Sequence, residues 1–159
     1  MTSQFFTYNK GKVIQALRYH FVTRKEIKLL MIVVNVFTIL AAGLFFFHKI
    51  SPFAFLISSC LWFVMMLLFW FLLPRIIYSK SDTFKDKLRV ILATDEFVIE
   101  SERGRNSCLW KDFTNVIESP HFFHLYFNSQ SFFIIPKEAF EPDEHEARRV
   151  LALRIPPVK

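Results

Sequence analysis

The chain has few of the residues on which enzyme active sites depend. Its 159 residues include three glycines and two cysteines, and they contain no glycine-rich phosphate loop, no Gly-x-Ser-x-Gly and no HExxH. Catalysis needs a nucleophile or base beside charge-stabilising groups, and the sequence offers no such constellation. We therefore expect a protein that is not an enzyme and that binds no cofactor.

Cysteine and histidine are too sparse or too badly spaced for a disulfide or a metal site. Cys60 lies in an apolar run and Cys108 in a segment expected in the reducing cytoplasm, so both are expected to be small packing residues. His121 and His124 look like a metal-binding pair, but residues three apart on a strand point to opposite faces. The carboxylates around His145 fan about a helix axis and suit an acidic first turn.

Charge is absent from two long apolar runs. The runs, residues 29–47 and 50–73, hold 19 and 24 residues and are separated only by His48 and Lys49. A helix needs roughly 20 apolar residues to cross a hydrocarbon core of about 30 Å. A buried hairpin of a soluble protein is the alternative, but its helices would normally keep a polar face, and residues 61–71 are apolar all round. The runs predict a transmembrane helical hairpin at residues 29–73.

The distribution of basic residues predicts the orientation of this hairpin. Six Lys and Arg residues with a single acid, Glu26, precede the first run, and four more basic residues follow the second run by residue 87. Basic residues close to helix ends stay in the cytoplasm. We expect an integral protein of the plasma or inner membrane, with both termini cytoplasmic and the turn at residues 48–52 facing outward.

Polar and small residues within the runs are candidates for helix contacts. Residues 41–43 lie at about the depth of residues 58–59, and small side chains there permit close helix approach. Asn35 lies opposite residues 64–65, where no side chain can pair with its amide. An amide in hydrocarbon must be satisfied, either by a nearby backbone carbonyl or across an interface with a second copy or another membrane protein. Asn35 is therefore a candidate binding residue.

Residues 1–28 form a basic N-terminal arm. Residues 5–8 have the composition of a short strand, and whether this strand joins a sheet further along the chain is left open. Apolar residues then recur at helical spacing, and they are Val13, Ile14, Leu17 and Phe21. The amphipathic helix that they predict either lies on the inner leaflet or packs its apolar face on the soluble part of the protein.

Residues 74–159 are expected to form a soluble cytoplasmic domain. Thirteen basic and thirteen acidic residues balance within residues 75–159, so no nucleic-acid partner is expected. Turn residues near positions 94, 103–105 and 128–130 separate short β-branched and aromatic runs. The predicted strands are residues 88–93, 97–101, 108–110, 122–127 and 132–135. Their spacing predicts a meander of antiparallel strands.

A helix is predicted after the last strand. Pro142 suits its first position, acidic residues fill its first turn, and residues 156–157, both proline, end it. Its apolar stripe consists of Ala147, Val150, Leu151 and Leu153. The predicted fold class is a membrane α-helical hairpin plus an α+β domain in which a curled antiparallel sheet is closed by this helix.

Two motifs give the chain a family resemblance. Residues 110–118 read Trp-Lys-Asp-Phe-Thr-Asn-Val-Ile-Glu, and after an aromatic strand residues 134–140 read Ile-Ile-Pro-Lys-Glu-Ala-Phe. Together they resemble the C-terminal domain of the YcxB-like proteins, small bacterial membrane proteins with two spans ahead of a domain similar to bacterial pleckstrin-homology-like modules. The resemblance implies that fold and topology, and it carries over no catalytic residue. Trp110 is expected to be a buried structural anchor.

The expected function is binding. We expect a membrane-anchored module that binds a protein partner, a peptide or lipid headgroups at the cytoplasmic face, with membrane lipid and a second copy as further partners. Arg103 and Arg105, in one predicted turn, join Asn35 as candidate binding residues, although two arginines are too few for phosphoinositide-type recognition. The alternative is a membrane-resident immunity or resistance protein against a membrane-acting toxin.

Overall fold

The computed structural model describes residues 1–128 and 131–155. The chain divides into two compact units, which are described separately below. One unit combines Met1–Ala16 with Ser81–Lys159, and the other is Leu17–Lys80. The predicted turn at residues 128–130 lies partly outside the described residues, and the predicted helix stop at residues 156–157 lies wholly outside them.

Two long helical segments make up most of the Leu17–Lys80 unit. Helix α2 is Lys25–Phe46, and α3 (Pro52–Leu67) continues through a π-helical turn at Leu68–Leu72 into α4 (Leu73–Lys80). Both segments are long and apolar enough to cross a membrane, and only 6% of the most apolar stretch of each is buried. The core helices of a soluble protein would be mostly buried. The two predicted long apolar helices are present.

The turn between α2 and α3 falls where the sequence predicts it. The Lys49 N–H donates to the Leu44 carbonyl at 2.8 Å and His48 has a φ of 56°, which is the arrangement of a Schellman C-cap. The Ser51 hydroxyl oxygen then accepts the Ala54 N–H at 3.2 Å and caps α3. Local hydrogen bonding therefore closes the hairpin.

Small residues face the interior of the hairpin. Ala41 in α2 and Ser58 in α3 are buried, in agreement with the predicted close approach. The hydroxyls of Ser58 and Ser59 donate to the Phe55 carbonyl at 2.8 and 2.9 Å, so neither is left unsatisfied in an apolar environment.

The first sheet is an antiparallel meander of β1 (Leu88–Leu92), β2 (Glu96–Ser101) and β3 (Gly104–Leu109). Strand β1 buries its first, third and fifth residues, which is the period of two that burial on one face requires. Strand β3 begins well before the predicted start at residue 108. The first four residues of β3 are exposed, so the sequence has no alternation of apolar and polar residues there from which a strand could be predicted. Gly104 has a φ of 145°, a conformation that residues with a side chain rarely adopt.

The second sheet contains β4 (Asn115–Glu118), β5 (Phe122–Tyr126) and β6 (Phe132–Pro136), also antiparallel. Every residue of β5 is buried, as expected for an aromatic strand covered on both faces. The prediction of a single curled sheet is wrong, because the strands of the described residues form two separate three-stranded sheets. A 3₁₀ turn at Trp110–Asp112 separates β3 from β4 and interrupts the ladder.

The N-terminal segment pairs with β1, which answers the question that the sequence left open. Phe6 and Leu88 exchange backbone hydrogen bonds of 2.8 and 2.9 Å, and Thr2 forms a bridge to Ile91. The Ser3 hydroxyl oxygen accepts the Val90 N–H at 2.9 Å. Residues from before the hairpin thus complete a sheet formed after it.

Helix α1 (Lys10–Thr23) is capped by the preceding Asn9, whose side-chain oxygen accepts the Lys12 N–H at 3.2 Å. Val13 and Ala16, which belong to the sheet-containing unit, are buried, with 0% and 3% of their surface exposed. An ion pair of 2.6 Å joins Lys12 to Glu138 in the same unit. This part of α1 packs its apolar face on protein, which decides between the two predicted alternatives.

His20 is a buried titratable residue in the second half of α1. Burial is the larger cause and the positive charge of Arg24 the smaller one, and together they lower the pKa of its imidazole to about 4. His20 is therefore neutral at physiological pH.

The C-terminal helix α5 (Glu144–Arg154) buries fewer apolar residues than predicted. Ala147 and Leu151 are buried, whereas Leu153 is 75% exposed. Pro142 is not the first helical residue, because it precedes the N-cap residue Asp143 and follows a cis peptide bond.

Candidate interaction site

One cross-strand rung of the first sheet places a carboxylate between two cations. The strand register pairs Arg89 with Glu100 and Glu100 with Arg105. Glu100 accepts hydrogen bonds of 2.9 and 2.5 Å from Arg89, and its other oxygen lies 3.9 Å from Arg105. Because side chains alternate along a strand, this rung lies on the face opposite the buried residues of β1.

An exposed aromatic ring lies beside this rung. Phe5 is 51% exposed, although it belongs to the segment that pairs with β1. The guanidinium of Arg89 lies 4.7 Å from the ring centroid, and the ammonium of Lys87 lies 5.5 Å from it. At these distances both cations form cation–π interactions with the ring, and these interactions hold the ring in place at the surface.

A surface cavity of about 360 Å³ opens beside the ring and the β2–β3 turn. It is lined by Phe5, Glu100, Ser101, Glu102, Gly104 and Arg105. The lining combines an aromatic face, two carboxylates and a guanidinium, which are groups that recognise a peptide as readily as a small polar ligand.

Arg103 and Arg105, the predicted binding residues of the turn, both lie at this end of the sheet. Arg103 forms an ion pair of 3.2 Å with Asp86, and Arg105 lies 3.9 Å from Glu100. Their side chains are 68% and 60% exposed. Paired in this way, the two arginines do not form a concentrated positive surface of the kind that anionic headgroups need.

The outer edge of β3 presents unpaired backbone groups. Ala93 N–H donates to the Glu96 carbonyl at 3.1 Å, so Glu96 and every second residue after it direct their backbone groups at β1. The intervening residues of β2 direct their backbone groups at β3. Their partners on β3 are Gly104 and every second residue after it. Arg105 and Ser107 must then direct N–H and C=O away from β2. No strand lies beyond β3 within the described ranges.

Asp112 limits this open edge at its far end. Its carboxylate accepts the Leu109 N–H at 3.1 Å, while the Leu109 side chain remains 45% exposed. The edge between Gly104 and Leu109 is therefore a short template for one more extended segment, with an apolar side chain at one end and the cavity at the other.

Asn35 has two partners within its own hairpin: a backbone carbonyl, which is one of the two predicted alternatives, and a side chain, which was not predicted. Its amide nitrogen donates to the Met31 carbonyl at 2.7 Å, and its amide oxygen accepts the Trp62 indole N–H at 3.2 Å. Depth matching placed it opposite residues 64–65, but the indole of Trp62, two residues earlier in the helix, is long enough to reach it. Asn35 thus joins the two helices, and it belongs to a different unit from Arg103 and Arg105.

His121, which precedes β5, and His124, which lies within it, diverge as predicted. His121 is exposed, and His124 is fully buried. The His124 Nε2 atom lies 2.9 Å from the Ser119 hydroxyl, which donates its own proton to the Phe122 carbonyl at 3.1 Å.

Glu144, one of the carboxylates near His145, takes part in an ion-pair network. Glu118 accepts from Arg148 at 2.9 and 2.7 Å and from Lys137 at 2.5 Å, and Arg148 also contacts Glu144 at 2.5 Å. The hydrogen bond from Arg148 is the main reason why the pKa of Glu118 falls to about 2. The network connects α5 to β4 and the end of β6, which is a structural role.

Trp110 occupies the position expected of a structural anchor. It is 7% exposed, and its indole N–H donates to the Ala93 carbonyl at 3.1 Å. Its ring lies 5.9 Å from that of Phe97 and 6.1 Å from that of Phe113. These contacts close the end of the first sheet against the 3₁₀ turn.

The sequence reasoning missed Phe5 and the open edge of β3. Phe5 was assigned to a short strand whose partner was left open, and only the pairing with β1 places it beside Arg89. The first residues of β3 carry no apolar alternation, so the signal available was the Gly104 turn with a polar segment after it.

The chain combines two long apolar helices with a small α+β domain that has an open sheet edge and a surface cavity. Residues 92–153 match the family of YcxB-like proteins. This part of the chain, which includes β2 to β6 and nearly all of α5, is a YcxB-like domain. No curated protein matches the chain, and no solved structure does.

Proposed function

We propose that the chain is a non-enzymatic, membrane-anchored binding module that takes up an extended segment of a partner protein along the open edge of β3. The single observation that carries the proposal is this edge, where Arg105 and Ser107 direct their backbone groups away from β2. The cavity beside Phe5 would receive a side chain of the same partner. Main-chain hydrogen bonds supply affinity in such strand addition, and adjacent pockets supply specificity.

The proposal includes a pleckstrin-homology-like arrangement at the cytoplasmic face of the membrane. Two antiparallel sheets followed by a C-terminal helix are consistent with that fold. The hairpin would span the plasma or inner membrane with both flanks inside, as the excess of Lys and Arg before the first helix favours. A partner would then be met at the membrane surface.

A protein segment fits this surface better than a lipid headgroup. A headgroup phosphate needs a cation that is not already paired with a carboxylate, whereas Arg89, Arg103 and Arg105 each have a carboxylate partner. An extended segment needs backbone donors and acceptors, which the edge supplies.

Site-specific photo-crosslinking in native membranes tests the proposal. A photoreactive residue at Leu109 is expected to capture one partner, identified by mass spectrometry, or a second copy of this chain, identified by the doubled mass. Ser107→Pro removes an N–H that points away from β2, so it is expected to abolish the adduct while leaving the sheet intact. Ser107→Ala keeps that N–H and is expected to retain the adduct.

A photoreactive residue at Leu153, which is 75% exposed on α5, is the positional control. Resistance of the Ser107→Pro domain to protease confirms that it remains folded. An adduct that persists in folded Ser107→Pro, or one that forms equally from position 153, would contradict binding at this edge.

A further inference from the structure

A proline in the second long helix leaves one backbone carbonyl without its usual donor. Pro74 has no N–H, so the carbonyl of Trp70, four residues earlier, lacks the hydrogen bond of a regular α-helix. The π-helical turn at Leu68–Leu72 lies directly before this proline. The Nε of Arg18 supplies the missing donor, at 2.9 Å from the Trp70 oxygen.

The same arginine lies over two aromatic rings. Its guanidinium carbon is 5.3 Å from the Trp70 ring and 5.5 Å from the Phe71 ring. The rings belong to residues that are 47% and 43% exposed. Nε is engaged with the carbonyl, and the two terminal nitrogens of Arg18 have no hydrogen-bond partner within the described residues. The cation is thus fixed in position and keeps donors available.

An apolar groove runs away from this cation along the helix. It has a volume of about 360 Å³ and is lined by Trp62, Phe63, Met66, Leu67, Trp70 and Phe71. From Trp62 to Phe71 the helix advances about 14 Å at the usual rise. One leaflet of a hydrocarbon core of about 30 Å has nearly the same thickness.

We propose that Arg18 and this groove form a binding site for one anionic phospholipid, with the phosphate on the terminal nitrogens of Arg18 and an acyl chain along the groove. The inference rests on the proposed membrane insertion of the hairpin. Charge complementarity selects the phosphate, and the apolar lining selects a chain. A free phosphate would use only the cation and would leave the groove exposed.

Quenching of tryptophan fluorescence by brominated acyl chains tests the site, because Trp62 and Trp70 line the groove. The full chain is reconstituted in phosphatidylcholine vesicles with a minority of phosphatidylglycerol, and either lipid is brominated in turn. A basic residue near a lipid surface enriches an anionic lipid about fivefold. At equal mole fraction, brominated phosphatidylglycerol is therefore expected to quench more strongly than brominated phosphatidylcholine.

Arg18→Gln removes the charge but keeps an N–H for the Trp70 carbonyl, and it is expected to abolish the preference for phosphatidylglycerol. Arg75→Gln removes an exposed charge from α4 and is expected to leave the preference intact. If Arg18→Gln does not insert, the Arg18→Gln/Pro74→Ala double variant restores a backbone donor to the carbonyl and permits the same measurement.

Two results would overturn the lipid site, and one would instead overturn the proposed anchoring. Equal quenching by both lipids in the wild type contradicts the site, as does an equal loss of preference in Arg18→Gln and Arg75→Gln. Absence of quenching in vesicles made wholly of brominated phosphatidylcholine would mean that the hairpin does not enter the bilayer.

Discussion

Replacement of Trp110 by alanine is expected to destabilise the YcxB-like domain, so that it unfolds at a lower denaturant concentration. The indole is buried against Phe97 and Phe113, and it also donates to the Ala93 carbonyl. Truncation of a buried tryptophan costs about 3 to 5 kcal/mol, of which a hydrogen bond accounts for about 1 kcal/mol. Domains of this kind have roughly 5 to 15 kcal/mol of total stability.

Hydrogen exchange on the full chain in detergent measures this loss for each strand. Since about 1.4 kcal/mol corresponds to a factor of ten, the slowest amides of β2 and β5 are expected to exchange about 10² to 10⁴ times faster in Trp110→Ala. Trp110→Phe keeps a ring in the cluster and loses the hydrogen bond, so its effect is expected to be about fivefold. The exposed His121 supplies the control, and His121→Ala is expected to leave exchange unchanged.

An acceleration of less than about tenfold in Trp110→Ala would refute the reasoning, because it would mean that the buried indole contributes little to stability. If that variant stayed folded and lost the crosslinked partner, Trp110 would be a binding residue instead of a structural anchor.

Three further predictions follow from individual contacts. Asn35→Leu breaks the hydrogen bond with Trp62 and is expected to weaken the hairpin by about 0.6 to 2 kcal/mol, measured by unfolding in detergent, with no change in oligomeric state; a change in mass by light scattering would restore the intermolecular interpretation. His20 has a pKa of about 4 in the folded protein, against about 6.5 in the unfolded chain. Between these two pH values the unfolded chain binds more protons than the folded protein, so the free energy of unfolding is expected to fall as the pH drops from about 6.5 to 4. His20→Phe should flatten that part of the stability profile, and an unaltered slope would contradict the assignment. In a chain whose own cysteines are replaced, Ser51→Cys is expected to react with an impermeant thiol reagent outside intact cells and Ser81→Cys is not; the reverse pattern would invert the proposed orientation.

The apolar helices and most strands could be predicted because their signals are local. Two uncharged runs are sufficient to predict two long helices, and the aromatic run at residues 122–127 is sufficient for β5. The first half of β3 and the whole of β4 were missed as strands. The first is an exposed edge with no apolar period, and the second is four residues long, so neither gives a pattern distinct from a turn.

The parts of the site that depend on pairing between distant residues could not be predicted. Phe5 and Arg89 are far apart in sequence, and only the register of the N-terminal segment on β1 brings them together. Arg103 and Arg105 were identified correctly as neighbours of one turn, but their carboxylate partners come from other positions. The neighbours of Asn35 were predicted from its depth in the membrane alone. Depth does not take into account how far an indole side chain extends from its helix.

The pairing of residues 1–6 with β1 constrains how the chain is threaded. Since Met1–Ala16 and Ser81–Lys159 form one compact unit, the two flanks of the helical segment must lie in the same aqueous compartment. Any bilayer crossings made between them must be even in number, whatever the charges of the loops.

The order of synthesis adds a second constraint. The N-terminal strand is made first, yet its partner emerges only after both long helices have been made. The sheet therefore cannot be completed until the hairpin, and β1 after it, have emerged from the ribosome. A helical segment that crossed the membrane only once would leave the N-terminal segment on one side and strands β1 to β3 on the other.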